Sequence, residues 1–397
     1  MATGQYLTEV AVRLVERGHQ VTVVTSRHAY DQPRTQFPKT ETWHGVRIHR
    51  VGSTSFGKDS KWRRAADFAS FIVACCWQLA WLPRHDTVVA LTTPPLISFI
   101  GAWLARFWRA SFFYWVMDFN PDEAIAAGWL RPESLAARLL EWMSRFSLRQ
   151  AKRVIALDRF MRDRIVAKGI ASGKVAVIPP WSHDTEVRFD PEGRERFRKA
   201  HGLDGKFVVM YSGNHSPVHP LDTLLAATRQ LASDTDIFFC FVGGGSEWRK
   251  IRQGVEESRK QKAGVGDFSV SNITCLPYQP LNELSGSLSA ADLHVVVMGN
   301  AFVGLVHPCK IYNIMAVGAP VLYIGPRPSH IADIPSAANG EAYCLSAAHG
   351  EVDVVVKQIL RARDEAQQGS RHRSPPIHSL FAKESVLPKL ITELESV

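Results

Sequence analysis

Apolar residues in the first part of the chain follow two spacings, one typical of helices and one typical of buried strands. Residues 7–15 carry an i, i+3, i+4, i+7, i+8 stripe that predicts an amphipathic helix over residues 5–17, and residues 21–25 form a β-branched run that predicts a strand. The alternation continues with predicted strands at 86–91, 112–117, 154–157 and 175–178 and a predicted helix at 97–107. Nearly continuous apolar strands between helices predict a parallel sheet covered on both faces.

A break in this pattern separates the chain into two parts. Residues 179–184 read PPWSHD, and the densely charged segment 190–201 follows, which we interpret as an interdomain linker. The pattern then restarts with predicted strands at 207–211, 237–242, 273–275, 293–297 and 321–324 and predicted helices at 221–231 and 281–289. We therefore predict an α/β protein with two tandem Rossmann-like, doubly wound domains.

The predicted domains are residues 1–180, residues 181–375, and a C-terminal helix within 376–397 that returns towards the first domain. The polar segment 361–376 is predicted to be a mobile connector. The start of the chain is unusual, because a sheet of this kind normally begins with a central strand before its first helix. Ala2-Thr3-Gly4 looks like the end of a glycine-containing loop. We expect the first strand of the N-terminal sheet to be missing, and upstream in-frame codons to encode an apolar run of about 4–8 residues.

Composition sets the broad class of the protein. The chain has 397 residues, of which 46% are hydrophobic and 21% charged, so it is neither disordered nor fibrous. The formal net charge of +9 favours an anionic partner, such as a nucleotide or a phospholipid surface. Six cysteines without metal-ligand spacing, together with no visible secretory signal, predict a cytoplasmic protein. Scattered cations argue against nucleic-acid binding.

A membrane surface is a further candidate partner. The apolar stretches 65–82 and 94–117 are interrupted by charged residues, so packed helices and strands explain them better than membrane spans do. The cations and aromatic residues between 62 and 81 would nevertheless suit a helix lying on an anionic membrane. The predicted location is therefore cytoplasmic, with peripheral attachment at the inner face of the cell membrane as an open possibility.

The segment 307–321, HPCKIYNIMAVGAPV, predicts a short helix with one apolar face that ends at Gly318 before a strand. Its other face carries Lys310 and Asn313. The preceding loop contains Gly304 and Leu305, and its backbone N–H groups together with the helix start could hold an anion such as a diphosphate. An ordinary loop and helix of an α/β sheet is the alternative interpretation.

Three more loops follow predicted strands of the second domain, where ligands of such sheets gather. Their notable residues are Gly213, Asn214 and His219 in the first, Gly243 and Gly244 in the second, and Tyr278 in the third. Glycine allows close backbone approach to a ligand, and the tyrosine ring could stack on a base. Each loop alone could be an ordinary turn. Neither G-x-G-x-x-G nor G-x-x-x-x-G-K-[ST] occurs, which disfavours dinucleotide oxidoreductases and P-loop NTPases.

In the first domain, Asp118 follows a predicted strand and lies beside aromatic residues. A carboxylate in that place can act as a base or bind sugar hydroxyls. Asp122 and Glu123 are better explained as residues of a helix start. His183-Asp184, at the predicted linker, could face a cleft or form a turn.

These segments resemble the retaining glycosyltransferases of family four, which have the GT-B arrangement of two Rossmann-like domains. Residues 4–9 and 17–23 look like the family's N-terminal loop, helix and second strand, and residues 118–122 are similar to the D-x-W-P-E stretch of the subgroup that builds colanic acid and O-antigen polysaccharides. Residues 177–181 resemble its interdomain segment, and residues 315–321 its most recognisable stretch. The resemblance implies that Gly4 belongs to the donor site.

The chain departs from the family at four donor-site positions. The resemblance implies a ribose-binding glutamate at 313, a sugar-contacting glutamate at 305, and an Arg and a Lys on the first C-terminal loop. This chain has Asn313, Leu305, Asn214 and His219 there. We expect Lys310, with help from His219 and backbone N–H groups, to substitute for the missing cations.

The resemblance implies a retaining glycosyltransferase of cell-surface polysaccharide synthesis, transferring a hexosyl or N-acetylhexosaminyl group. It would use a nucleotide-sugar donor, expected to be UDP-linked, and a saccharide or lipid-linked saccharide acceptor. No cofactor or metal is expected. Two alternatives stay open: a catalytically impaired GT-B scaffold that binds a nucleotide-sugar or a partner enzyme, and a nucleotide-sugar epimerase.

Overall fold

The computed structural model describes residues 2–28, 37–54, 61–94, 96–182, 187–260, 272–337, 343–369 and 378–396. The chain folds into two compact units. The first unit comprises Met1–Leu157, Met161–Ile178 and Leu387–Val397, and the second comprises Asp158–Phe160 and Pro179–Val386. The chain therefore changes unit at residues 178 and 179, and its last residues group with the first unit.

The first unit alternates helices and strands. Its helices are α1 (Ala2–Glu16), α2 (Lys61–Ala80), α3 (Ile97–Trp108), α4 (Asp122–Ala126), α5 (Leu135–Gln150) and α6 (Arg159–Ala167), with the first residues of α6 assigned to the second unit. Its strands are β1 (Thr22–Ser26), β2 (Thr40–Trp43), β3 (Val46–Val51), β4 (Thr87–Ala90), β5 (Ser111–Trp115), β6 (Arg153–Ala156) and β7 (Val175–Val177). The predicted strands at 21–25, 86–91, 112–117, 154–157 and 175–178 are confirmed to within two residues.

These strands form two sheets in the described part of the chain. One has the order β1-β3-β2, with β2 antiparallel, and the other is the parallel sheet β4-β5-β6-β7. The β2–β3 hairpin lacks an apolar run and was not predicted. The interpretation of Gly4 as a loop residue is wrong, because Gly4 lies in the first turn of α1 and its carbonyl accepts a hydrogen bond from the Thr8 hydroxyl at 2.8 Å.

The second unit repeats the alternation. Its helices are α7 (Pro191–Ala200), α8 (Asp222–Gln230), α9 (Ser246–Lys260), α10 (Leu281–Ser289), α11 (Lys310–Ala316), α12 (His330–Ala337), α13 (Val352–Gln367) and α14 (His378–Phe381), and α15 (Lys383–Glu395) spans the division. Its strands are β8 (Phe207–Asn214), β9 (Ile237–Gly244), β10 (Ile273–Leu276), β11 (Leu293–Val297), β12 (Val321–Ile324) and β13 (Cys344–Ala347).

All six strands of this unit are parallel, in the order β10-β9-β8-β11-β12-β13. Alternate residues of β8 enter different cores, with Val209 in one buried cluster and Val208 and Met210 in the other. Both faces of the sheet are therefore covered, as the apolar strands predicted. The order runs outwards in opposite directions from β8 and β11, so the topological switch point lies between these two strands.

Two predictions about polar segments are wrong. The charged segment 190–201 is helix α7, capped by the Asp190 side chain, rather than part of a linker. Residues 361–367 of the predicted connector belong to α13, where Ala362 is buried, while its residues 370–376 lie outside the described residues. Both segments are polar overall, but a narrow apolar stripe along one face is enough for each to pack as a helix. Within the described residues, none of the helices combines the length and apolar content that a membrane span requires.

Candidate functional site

The candidate site of the second unit lies at the switch point, where β8 and β11 end. The Gly299 N–H donates to the Val218 carbonyl at 2.9 Å, so the segment after β11 is tied to the segment after β8. Helix α11, which carries Lys310 and Asn313, follows β11 along the chain. Ligands of open parallel sheets bind at such points, outside the carboxyl ends of the strands.

Two glycine segments meet at this edge of the sheet. Gly213 and Gly243 are partners in the β8–β9 ladder, so both extend the strands rather than forming the predicted loops. Gly243 has φ 138°, and a Cβ there would lie 2.0 Å from the Gly213 carbonyl oxygen. A Cβ on Gly245 would lie 2.2 Å from the His215 carbonyl oxygen. Only glycine allows these two backbones to approach so closely.

Lys310 is the central side chain of the site. Its Nζ atom lies 3.5 Å from the centroid of the Tyr211 ring, and a Cβ on Gly213 would lie 3.2 Å from both its Cε and its Nζ. The amino group is buried, and no described atom accepts a hydrogen bond from it. Burial lowers the pKa of Lys310 to about 7. A buried ammonium without an anion is unfavourable, and this site would be stabilised by one.

Three histidines surround this lysine, and none carries a negative charge. His215 directly follows β8, and its Nδ1 atom donates to the Gly213 carbonyl at 2.9 Å. Burial, followed by the charge of Lys310, lowers the pKa of both His215 and His219 to about 3. Burial also lowers the pKa of His294 to about 4. His219 is therefore neutral near pH 7 in the protein without a bound anion.

The other predicted donor residues differ in their exposure. Tyr278 is 54% exposed, and its ring packs against Gly244, where a Cβ would lie 2.9 Å from the Tyr278 Cε2 atom. An aromatic face beside a glycine backbone can stack on a planar base. Asn214 is exposed at the end of β8, and Asn313 is half-buried on α11. The structure thus brings Gly213, Lys310, Gly243, Gly244 and Tyr278 to one edge of the sheet.

Several backbone N–H groups of the loop before α11 and of its first turn already have acceptors. Gly304 adopts φ 70°, and Leu305 is 2% exposed, with its N–H donating to the Phe302 carbonyl at 3.0 Å. The N–H groups of Ile311 and Tyr312 donate to the carbonyls of Pro308 and Cys309. These three N–H groups are engaged within a 3₁₀ turn and the first turn of α11, and the side chain of Lys310 is the cation beside them.

A second buried cluster in this unit was not predicted. His307 Nδ1 lies 2.8 Å from Asp158 Oδ2, and its Nε2 lies 2.6 Å from the Tyr312 hydroxyl. His330 stacks on His307 with ring centroids 3.9 Å apart, and neither of its ring nitrogens has a described hydrogen-bond partner. The three side chains could supply metal ligands. The stacked rings, however, direct their lone pairs along nearly parallel planes, which favours a hydrogen-bonded network over chelation.

In the first unit, Asp118 follows β5, and its N–H donates to the Thr92 hydroxyl at 3.1 Å. Burial raises the pKa of Asp118 above its usual range, and burial together with the Asp118 charge raises the pKa of Glu123 further. Such a pair holds one proton near neutral pH. Glu123 lies in the first turn of α4 as predicted. The interpretation of Glu123 as only a helix-start residue did not include its interaction with Asp118.

The neighbouring carboxylate of Asp122 has a different partner. Its Oδ2 lies 2.6 Å from the Lys168 amino group, which also pairs with Glu141. Asp122 is therefore a structural ion-pair residue. Gly4 lies in the same unit, exposed in α1, and an added Cβ would meet nothing within 4 Å. His183 and Asp184 lie outside the described residues.

Comparison with known proteins identifies the class. Residues 2–181 match the family described as "Glycosyl transferase 4-like domain". Over 98% of this chain and 95% of the relative, the sequence is 24% identical to a protein of Escherichia coli (strain K12) that carries the provisional name colanic acid biosynthesis glycosyl transferase WcaI. The N-terminal part of the chain is thus similar to a glycosyl transferase 4-like domain.

Solved structures show the same fold for the whole chain. The sucrose-phosphate synthase of Thermosynechococcus elongatus superposes with a TM-score of 0.71 at 16% identity, covering 100% of this chain and 93% of that one. Anabaena Alr3699/HepE in complex with UDP and glucose superposes with a TM-score of 0.66 at 15% identity, covering 89% and 87%. The fold is that of the GT-B glycosyltransferases. This chain therefore has the fold of that class of enzymes.

Proposed function

We propose that this glycosyltransferase transfers a sugar from a UDP-linked donor to a saccharide or lipid-linked saccharide acceptor, with retention, in cell-surface polysaccharide biosynthesis. The observation that carries the donor assignment is the buried amino group of Lys310, which has no described anionic partner at the switch point of the sheet. The names of similar proteins support the substrate classes: HepE was solved with UDP and glucose, and WcaI is named for colanic acid.

Each part of the donor has a proposed partner. Lys310 binds the diphosphate after its amino group turns away from the Tyr211 ring, since a phosphate is a stronger partner for an ammonium than an aromatic face. Gly213 and Gly243 allow the two strand ends and the Lys310 side chain to pack closely together, which holds the amino group at this edge of the sheet for the diphosphate. Tyr278 stacks on the uracil, and Asn313 hydrogen-bonds a ribose hydroxyl as a neutral substitute for a carboxylate.

The proposed reaction breaks the bond between the anomeric carbon and the donor phosphate oxygen. The acceptor hydroxyl attacks the same face of an oxocarbenium-like state, and the departing phosphate takes the hydroxyl proton. Lys310 stabilises the charge that develops on the diphosphate, so that the step requires no metal. Asp118 binds the acceptor in the first unit, with its carboxylate accepting a hydrogen bond from an acceptor hydroxyl.

A binding scaffold without turnover is the second candidate. It is favoured by Leu305, whose side chain is buried and whose N–H is already bonded, where the resemblance implies a sugar-contacting glutamate. The two functions separate in one assay, because a scaffold binds UDP but releases no UDP from a nucleotide-sugar and transfers no labelled sugar.

Thermal unfolding with UDP and a panel of nucleotide-sugars tests the donor site. A ligand at a hundred times its Kd stabilises the folded state by about 2.7 kcal/mol, so a matching donor raises Tm. Lys310→Met should weaken UDP binding at least tenfold, since a hydrogen bond to a charged group contributes about 1.5–3 kcal/mol. Lys357→Met, at an exposed lysine of α13, is the matched control. Wild-type UDP affinity in Lys310→Met would remove Lys310 from the site.

A further inference from the structure

Two adjacent helices of the first unit present large apolar side chains to solvent. They are Trp103 (60% exposed) and Phe107 (66%) on α3, and Leu135 (82%), Leu139 (56%) and Trp142 (56%) on α5. The helices pack together through Phe99, whose ring centroid lies 5.5 Å from that of Trp142. We call these five side chains the α3–α5 patch.

The exposure of the patch follows from helical register. Trp103 and Phe107 are four residues apart, and Leu135, Leu139 and Trp142 follow the i, i+4, i+7 spacing of one helix face. The opposite faces are buried, as Ala102 and Leu148 show. Scattered exposed apolar residues are normal, but five large ones on touching helices mark an interaction surface.

Cations surround the patch. Arg106 on α3, Arg109 at its C-cap, and Arg138 and Arg149 on α5 are exposed, and none of these four guanidinium groups pairs with a described carboxylate. Within the helices, α3 has no acidic residue, and the single one on α5, Glu141, is engaged by Arg145 and Lys168. Exposed Glu133, just before α5, is the one acidic side chain in the turn that precedes the patch.

The combination of exposed apolar side chains and surrounding arginines favours one kind of binding partner. Tryptophan, phenylalanine and leucine flanked by arginine suit the interface of an anionic bilayer, where the apolar side chains enter the boundary of the acyl region and the guanidinium groups bind lipid phosphates. A second copy of this chain fits less well, because a two-fold contact would bring the same arginines against each other. We propose that the α3–α5 patch docks this protein on an anionic phospholipid membrane.

The sequence directs attention to another helix, α2, for the same role. Trp77 and Trp81 are 70% and 72% exposed, but the side chains of Trp62 and Arg64 are outside the described residues. Helix α2 provides a second variant, Trp77→Ser/Trp81→Ser, which measures whether membrane binding depends on this helix or on the α3–α5 patch.

Vesicle co-sedimentation of the full chain tests the proposal. The protein should bind vesicles of phosphatidylcholine with phosphatidylglycerol, bind pure phosphatidylcholine far more weakly, and dissociate as salt is raised. Trp103→Ser/Trp142→Ser should lower binding at least tenfold. Arg106→Ser/Arg138→Ser should lower it about twenty-five-fold on anionic vesicles, at about fivefold for each arginine near the surface. Trp43→Ser, an exposed tryptophan of β2, should bind as the wild type does.

Two outcomes would overturn the proposal. The first is vesicle binding that stays unchanged in the two double variants of the α3–α5 patch, the tryptophan pair and the arginine pair. This includes the case in which only Trp77→Ser/Trp81→Ser, on α2, lowers the binding. The second is a wild-type protein that ignores anionic vesicles but self-associates in sedimentation velocity, with the association lost in Trp103→Ser/Trp142→Ser. The UDP-induced shift in Tm, measured on every variant, reports separately on folding and on the donor site.

Discussion

The amino group of Lys310 lies 3.5 Å from the centroid of the Tyr211 ring, buried and without a described hydrogen-bond acceptor. The groups around it are neutral side chains: the Tyr211 ring beneath it, and His215, His219 and His294, whose pKa values the charge of Lys310 lowers. With no described carboxylate paired to it, Lys310 is unfavourable in its charged form until an anion binds. The affinity for UDP and the stability of the folded protein should both depend on whether the Lys310 amino group is protonated.

The first prediction concerns the pH dependence of UDP binding. Burial lowers the pKa of Lys310 to about 7 in the free protein, and a bound diphosphate raises it, so binding takes up a proton above that pH. The Kd for UDP should therefore increase up to tenfold per pH unit from about pH 7 to about pH 9, where the terminal phosphate, with a pKa of about 6, is already ionised. Calorimetry in two buffers of different ionisation enthalpy measures the uptake. A flat Kd in the wild type, or the same slope in Lys310→Met, would contradict it.

The second prediction concerns stability without ligand. The folded-state pKa of Lys310 lies below the unfolded value, so the unfolded chain binds more protons and the free energy of unfolding increases as pH rises from about 7 to about 10. Lys310→Met removes this penalty and should raise Tm at pH 7, while its UDP binding weakens at least tenfold. The gain should shrink towards pH 10. Differential scanning calorimetry at both pH values measures it, and a lower Tm in the variant at pH 7 would show that the lysine is stabilising.

The third prediction concerns the close approach of Gly243 to Gly213. Gly243→Ala places a Cβ 2.0 Å from a backbone oxygen at φ 138°, and should lower the free energy of unfolding by at least about 2 kcal/mol. Gly350→Ala is the matched control, since Gly350 also has a positive φ, 86°, but an open surrounding. Urea unfolding compares the two variants. Equal losses would mean that backbone strain, and not the clash, decides the cost.

The fourth prediction distinguishes the role of Asp118 from that of Glu123. If Asp118 binds the acceptor, Asp118→Asn should lower transfer at least a hundredfold with unchanged UDP affinity, because an amide is a weaker acceptor than a carboxylate. Glu123→Gln should keep most activity near pH 7, since the raised pKa of Glu123 already keeps that side chain largely protonated. Release of UDP from the donor is the readout. Similar losses in both variants would indicate that the pair acts as one unit.

The fifth prediction concerns the α7–β11 region. The Asp292 carboxylate pairs with Arg194 and Arg198 and accepts the Val208 N–H at 2.8 Å. Asp292→Ala leaves two largely buried guanidinium groups without their counter-charge and should destabilise by about 3–5 kcal/mol. Chemical denaturation measures the loss. Arg196→Ala, at an exposed position of the same helix, should change stability by less than about 0.5 kcal/mol.

Strand and helix positions with strong apolar periodicity could be predicted from the sequence. The strands β11 and β12 and the helix α10 were predicted at their observed bounds, because buried strands and amphipathic helices leave a local pattern. Segments whose composition is polar, such as α7 and the end of α13, were misread. Their apolar contacts are few, and the ion pairs that hold α7 join residues about a hundred positions apart.

The sequence by itself determined the fold class and the family resemblance, and it drew attention to Lys310, since these depend on local patterns and residue types. Only the tertiary structure decided the burial and the pKa of that lysine. Its burial, the neutral His219 and the Tyr211 ring beneath it come from strands and loops that meet at the switch point. Likewise, the coupling of Glu123 to Asp118 arises from burial. A charge's solvation depends on everything packed around it, and that information is not local in the chain.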